Sequence, residues 1–378
     1  MRCEICNLEY NGYACPQCGF ISLNLPPSTP KEIVEIYIQE KTRAKVEWQE
    51  THDQSRKNNQ GKIDQDMPSE VNVSEKVDIK MPSYSKNDNY YNVRWKEESP
   101  GHLVYLVDLS QSMSMPPYDK NKKYDKNVKD YTKYNMVMDA IRDCSKAILA
   151  PCVQGGVVIP QFSLTIIGYN SEVYTLFKGD AKDVAQMLTV AAKNKNRLFY
   201  DAETDTIEPN AEPKWQTYME KALMAAKKDV EEWICKQKSN PQIKAIPAPI
   251  VISITDGHPE EQERKYYEAA KGALNAANSI MESINTPDGN VLLFNIHIDP
   301  FNNEPDLSFP VKEPQDRDMA LLYNMSSTIP EKFIENSTFS IEHGCKGMIS
   351  NAKDKTTLLQ FIEFGSTLTQ KNRETPKQ

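Results

Sequence analysis

No apolar run in the 378-residue chain approaches the length of a membrane span, which argues against a transmembrane helix. The opening, Met1-Arg2-Cys3-Glu4-Ile5-Cys6, lacks the apolar stretch of a secretory signal, so a reducing cytoplasm is the expected compartment. A Gly-x-x-x-x-Gly-Lys phosphate loop is missing, which argues against an ATPase of that type. His258 and His297 belong to no His-x-x-x-His or nucleophile-elbow pattern, and ordinary polar roles are expected for both. Excess positive charge is missing too. Lys and Arg number 45 against 53 Asp and Glu, a net charge of -8, which argues against wholesale binding of nucleic acid or anionic lipid. There is no internal repeat of fixed period, so a solenoid or array is excluded.

What remains is globular in composition, with 39% hydrophobic and 26% charged residues. A mean hydropathy of -0.63 and Lys/Asn-rich stretches add long polar segments. Length allows one large domain plus a small module, or two ordinary domains.

The small module comes first. Cys3-x-x-Cys6 and Cys15-Pro16-Gln17-Cys18-Gly19 place four thiols as two knuckles. Thiolates suit a soft or borderline ion, and a closed four-sulfur tetrahedron leaves no position for substrate, so a structural Zn²⁺ is expected. With so little core around it, metal binding would supply most of the folding free energy. Two disulfides and an iron site are the alternatives, the first disfavoured by a reducing compartment. The arrangement resembles a short zinc ribbon, over residues 1–25. Its segment has Arg2 against Glu4 and Glu9 and no lysine up to Phe20, so nucleic-acid binding lacks the phosphate-directed charge it needs. An amphipathic helix is expected over 26–58, opened by Thr29-Pro30-Lys31-Glu32 as a cap, first-turn proline and capping-box acid. A polar linker over 59–94 and a disordered tail over 371–378 complete the flanks.

Residues 95–370 read as an α/β domain. Leu103-Val104-Tyr105-Leu106-Val107 and Ile250-Val251-Ile252-Ser253-Ile254 are apolar runs that end in polar loops, as buried parallel strands do. Val137, Ile141, Cys144 and Ile148 repeat at helical spacing, and Cys144 is expected in the core. Further strands fall at 162–169, 173–177, 291–298 and 347–350, with helices between. The alternation predicts a doubly wound, mostly parallel sheet flanked by helices.

Ligands of such sheets sit at the carboxyl ends of the strands. Three loops there carry matching chemistry. Asp108-Leu109-Ser110-Gln111-Ser112 offers a carboxylate and two hydroxyls at alternate positions, Thr217 adds a hydroxyl before a helix, and Asp256-Gly257 adds a carboxylate at a strand end. A shell made only of hard oxygen ligands suits Mg²⁺, or Mn²⁺, with a position left for an incoming carboxylate. The bland alternative is that Asp108 and Ser110 cap a turn.

Asp108-x-Ser110-x-Ser112, Thr217 and Asp256-Gly257 resemble the metal-ion-dependent adhesion site of von Willebrand factor A domains, and the element order from Trp95 to Phe364 is similar to that fold. The resemblance implies that Ser110, Ser112 and Thr217 ligate the ion, with Asp108 and Asp256 acting largely through water. It further implies a binding and scaffold protein without catalytic residues, whose Mg²⁺ takes an Asp or Glu of a protein partner. Among intracellular relatives the whole is similar to bacterial TerY-type and MoxR-associated proteins, which implies a kinase, phosphatase or AAA+ ATPase as partner and a stress-response or phage-defence setting. A Mg²⁺-dependent phosphoryl-transfer or hydrolytic enzyme is the alternative. The segment Ser114 to Lys133 contains Lys120, Lys122, Lys123, Lys126, Lys129 and Lys133 against three aspartates. Lys122 and Lys123 are expected to meet an acidic partner there and to steer its approach; the alternative is a solvated loop.

Overall fold

A computed structural model describes residues 90–115, 132–214, 216–261, 264–298, 307–335, 341–350, 352 and 355–367. Cys3, Cys6, Cys15 and Cys18, the helix expected over 26–58, most of the linker, Lys122, Lys123 and the tail lie outside the described residues.

Apolar runs settle where both faces can be covered. The main sheet contains β1 (Gly101–Asp108), β2 (Phe162–Tyr169), β3 (Val173–Asp180), β4 (Ile250–Thr255), β5 (Leu292–His297) and β6 (Met348–Ile349). β1, β4 and β5 are buried at every position, and β2 at every position but Ser163. The strand order is β6-β5-β4-β1-β2-β3. All neighbours are parallel except β2 and β3, whose short Asn170–Glu172 turn makes an antiparallel pair. Among the described residues three two-residue hairpins lie outside this sheet.

The helices are α1 (Lys133–Leu149), α2 (Ala181–Lys193), α3 (Met219–Lys238), α4 (Tyr266–Ser283), α5 (Arg317–Asn324), α6 (Glu331–Glu335) and α7 (Lys355–Thr367). Successive side chains of a strand point to opposite faces, and two cores follow. Tyr105, Ile252 and Phe294 join Val137 and Ile141 of α1, Val184 of α2 and Phe361 of α7 in one. Val104, Val251 and Leu293 join Leu223 of α3, Ala277 of α4 and Leu322 of α5 in the other. Helices thus cover both faces, and Cys144 is fully buried as expected.

The N-terminal end of β1 is locked by a buried polar clamp. His102 Nε2 lies 2.9 Å from Asp229 Oδ2 of α3, and its Nδ1 lies 2.8 Å from Ser163 Oγ of β2. Lys178 of β3 closes on the other Asp229 oxygen at 2.8 Å. Packing begins a little before residue 95: the Asn92 and Val93 amides donate to Asp288 Oδ1 at 2.8 and 3.0 Å. Trp95 then stacks on Phe162. Among the described residues no helix is long and apolar enough to cross a membrane.

The strand order positions the site. From β1 the chain moves to β2 on one side, and it later returns as β4 on the other. The strand order therefore switches direction between β1 and β4, and doubly wound sheets place ligands at the carboxyl ends of the strands at such a switch.

Candidate metal centre

Asp108 is the last residue of β1 and Asp256 follows the last residue of β4. These strands are direct neighbours, with Val107 opposite Ile254, so the two carboxylates emerge side by side at the switch in strand order. Asp108 is fully buried. Its Oδ1 accepts from the Ser110 amide and its Oδ2 from the Thr255 hydroxyl, both at 2.7 Å. Thr255 Oγ1 in turn accepts from the Gly257 amide at 3.0 Å. Burial first, and the charge of Asp256 second, push the Asp108 carboxyl up to about 7 despite these hydrogen bonds. A cation at this point would offset both causes.

The hydroxyls come from local geometry. Ser110 is extended, with ψ 161, and a 3-10 turn over Gln111–Ser114 then folds the chain back. Ser110 Oγ and Ser112 Oγ end 2.9 Å apart. Adjacent ligands of an octahedron with metal–oxygen bonds of about 2.0–2.1 Å are separated by about 2.9 Å. The two hydroxyls are hydrogen-bonded at this distance, which is also the spacing of two neighbouring Mg²⁺ ligands.

Thr217 arrives from a separate segment that is stitched to the loops following β1, β2 and β4. The Lys214 amide donates to Leu109 O at 2.7 Å, the Thr217 amide to Glu260 O at 2.8 Å and the Tyr218 amide to Asn170 O at 2.9 Å. Thr217 is almost fully buried. Gln216 beside it has φ 75, a left-handed conformation that a non-glycine residue holds only when its surroundings impose it. Gly257 is needed for two reasons: its φ is +94, and a Cβ there would lie 2.7 Å from the His297 ring.

The structure thus brings Asp108, Ser110, Ser112 and Asp256 together at one sheet edge and binds the Thr217 loop to the same edge. Only hard oxygen donors are contributed, the chemistry that Mg²⁺ or Mn²⁺ fits. Among the described residues there is no group of three His, Cys, Asp or Glu side chains placed to hold an ion; three of the five candidate ligands here are hydroxyls.

Two supporting residues escape sequence reasoning. Thr255 orients Asp108, and its only signal is a hydroxyl standing between a buried strand and Asp256. Lys133 is the second. Sequence groups it with the lysines of the preceding segment, but it is buried and its Nζ lies 3.2 Å from Asp256 Oδ2. Its signal is position, one helical repeat before Val137 on the apolar face of α1. His297 Nε2–H donates to the Asp256 carbonyl at 3.1 Å. His258 pairs with Asp318 at 3.2 Å, and Tyr266 donates to the same carboxylate at 2.7 Å. Each histidine thus makes a polar contact through one ring nitrogen, and His297 Nδ1 is buried without a hydrogen-bond partner.

No family model matches the sequence, and no curated protein matches it. Part of the chain is similar to several solved structures. The manganese-loaded TRAP protein of Plasmodium vivax is 18% identical, over 55% of this chain and 60% of that one, with a TM-score of 0.30. The PilB minor pilin of Streptococcus sanguinis is 12% identical, over 72% of this chain and 62% of that one, with a TM-score of 0.42. Proximal thread matrix protein 1 of the mussel byssus is 13% identical, over 73% of this chain and 49% of that one, with a TM-score of 0.38. The chain covers less than two thirds of the length of each.

Proposed function

We propose that the described domain is a von Willebrand factor A-type binding module. In it Ser110, Ser112 and Thr217 hold one Mg²⁺ or Mn²⁺, Asp108 and Asp256 act on the ion through water, and a protein partner contributes an Asp or Glu. When bound, the ion supplies a Lewis-acidic position for that carboxylate. The observation that carries the reading is the juxtaposition at the β1/β4 switch: two acidic groups side by side, one wholly buried, next to a hydroxyl pair at octahedral spacing. The chain's own part is orientation. Ser110 N–H and Thr255 fix both oxygens of Asp108, leaving each a lone pair for a water, and the stitched Thr217 loop keeps a third hydroxyl at the same edge.

Binding without turnover is part of the proposal. His258 pairs with Asp318 and His297 with the Asp256 carbonyl, and the proposal assigns neither a proton-transfer step. The proposal extends to a Zn²⁺ on Cys3, Cys6, Cys15 and Cys18, to Lys122 and Lys123 as partner contacts, and to a kinase, phosphatase or AAA+ ATPase as partner in a cytoplasmic stress-response or phage-defence system.

Titration of Mn²⁺ into the full chain, followed by the paramagnetic signal of the free ion, tests the reading. One hard-ion site that Mg²⁺ displaces is expected, lost in Ser110→Ala and in Thr217→Ala with the fold intact. Wild-type protein that leaves all Mn²⁺ free would overturn it.

A further inference from the structure

Lys133 is the first residue of α1, with Thr132 capping the helix by accepting from the Asn135 amide at 3.1 Å. Its amide donates to Met115 O at 2.8 Å, which ties the helix start to the end of the metal loop. Its side chain is 5% exposed and its Nζ lies 3.2 Å from Asp256 Oδ2, itself on a side chain 11% exposed. A lysine buried to that degree is held for a partner, because an unpaired ammonium is costly to desolvate. Here the partner is one of the two acids of the proposed ion site.

We infer that Lys133 is a built-in charge balance of the ion site, lowering its affinity for the divalent ion and raising the affinity of the loaded site for an anionic ligand. The inference rests on the proposed metal site. Two ionised carboxylates contribute two negative charges and Lys133 one positive. A divalent ion brings the sum to plus one, which a single carboxylate from a partner neutralises. Without Lys133 the loaded site would be neutral, and only the ion's open coordination position, with no net charge behind it, would attract a further anion. A fixed positive charge next to a cation site repels the cation and attracts the anion that follows. Lys133 therefore trades metal affinity for ligand affinity.

The experiment is Mn²⁺ binding to the full chain, read by the free-ion paramagnetic signal, for wild type, Lys133→Met and Lys133→Arg, with Ser110→Ala as the control for the site. Each protein is then saturated with Mn²⁺ and titrated with glutarate, a free dicarboxylate, by calorimetry. Lys133→Met is expected to bind Mn²⁺ roughly tenfold more tightly and glutarate roughly tenfold more weakly than wild type, with Lys133→Arg close to wild type on both axes. Thermal melts add a readout independent of ligand. In chelator Lys133→Met should melt below wild type, because Asp256 loses its partner, and saturating Mn²⁺ should close that gap. Equal Mn²⁺ affinity in wild type and Lys133→Met, both sensitive to Ser110→Ala, would overturn the role of Lys133 and leave the ion site standing. Loss of Mn²⁺ binding in a folded Lys133→Met would overturn it as well. No Mn²⁺ binding by any of the proteins would instead overturn the ion site itself.

Discussion

At Asp108 burial and the neighbouring Asp256 work against the charged form, while Ser110 N–H and Thr255 favour it, and the balance leaves the carboxyl pushed up to about 7. Its ordinary value is 3.8, so in chelator the folded chain holds this proton more tightly than the unfolded chain. The corresponding stabilisation is complete below 3.8 and is lost as pH rises through about 7. Asp108→Asn removes the liability. In chelator at pH 8 it should be more stable than wild type by about 2–4 kcal/mol in urea unfolding, with the advantage vanishing near pH 4. The same variant should fail to bind Mn²⁺, a gain of stability at the expense of the site. Gly257 supplies the opposite case. Its φ of +94 and the close His297 ring leave no room for a methyl group, and Gly257→Ala should cost about 1–3 kcal/mol and weaken Mn²⁺ binding by displacing the Asp256 loop. Unchanged unfolding curves for both variants would show that these two positions are less constrained than described. Of the residues of the proposed site, Asp108, Ser110, Ser112 and Asp256 are marked in the sequence by alternate spacing and strand-end position, and Thr217 by a hydroxyl just before a helix. Thr255 and Lys133 are not, because a hydroxyl at a strand end and a lysine at a helix start each have commoner roles.

Among the elements, β1 is anchored at both ends, by Asp108 at the site and by His102 at the far edge. Burial alone would raise the Asp229 pKa, but the hydrogen bond and charge of His102, followed by those of Lys178, hold it down at about 2. A carboxylate with a depressed folded value stabilises above its unfolded pKa and loses that contribution as pH falls through the folded one. Asp229→Asn should therefore cost about 1–3 kcal/mol at pH 7 and progressively less in acid below pH ~4, measured by urea unfolding across that range. A cost independent of pH would assign the residue a packing role only. β1, β2, β4 and β5 are legible because long apolar runs flanked by helical repeats have few other readings. The two-residue hairpins carry no period to detect. β3 is read only to Phe177 because Lys178, Gly179 and Asp180 look like a loop. Lys178 instead pairs with Asp229, and Asp180 accepts from Lys182 and Asp183 as the cap of α2.

On the scale of the whole molecule, the two expected metals belong to separate parts of the chain and should act separately. Four thiolates suit Zn²⁺ and five oxygens suit Mg²⁺, so the two ions should not exchange sites. Cys15→Ser is expected to lower bound zinc, measured by elemental analysis under reducing conditions, while leaving Mn²⁺ binding by the adhesion-type site unchanged; loss of both would show that the parts fold as one. The doubly wound order was legible at this scale because strands alternate with helices along the sequence. Which strand lies beside which was not, and that neighbour relation is what sets Asp108 next to Asp256. The most direct measurement is a crystal of the full chain grown with Mn²⁺ and examined by anomalous scattering. The expected result is one peak at the β1/β4 edge, about 2.0–2.2 Å from Ser110 Oγ, Ser112 Oγ and Thr217 Oγ1, with Asp108 and Asp256 reached through waters. A well-ordered site without a peak there, in crystals whose protein binds Mn²⁺ in solution, would contradict the account.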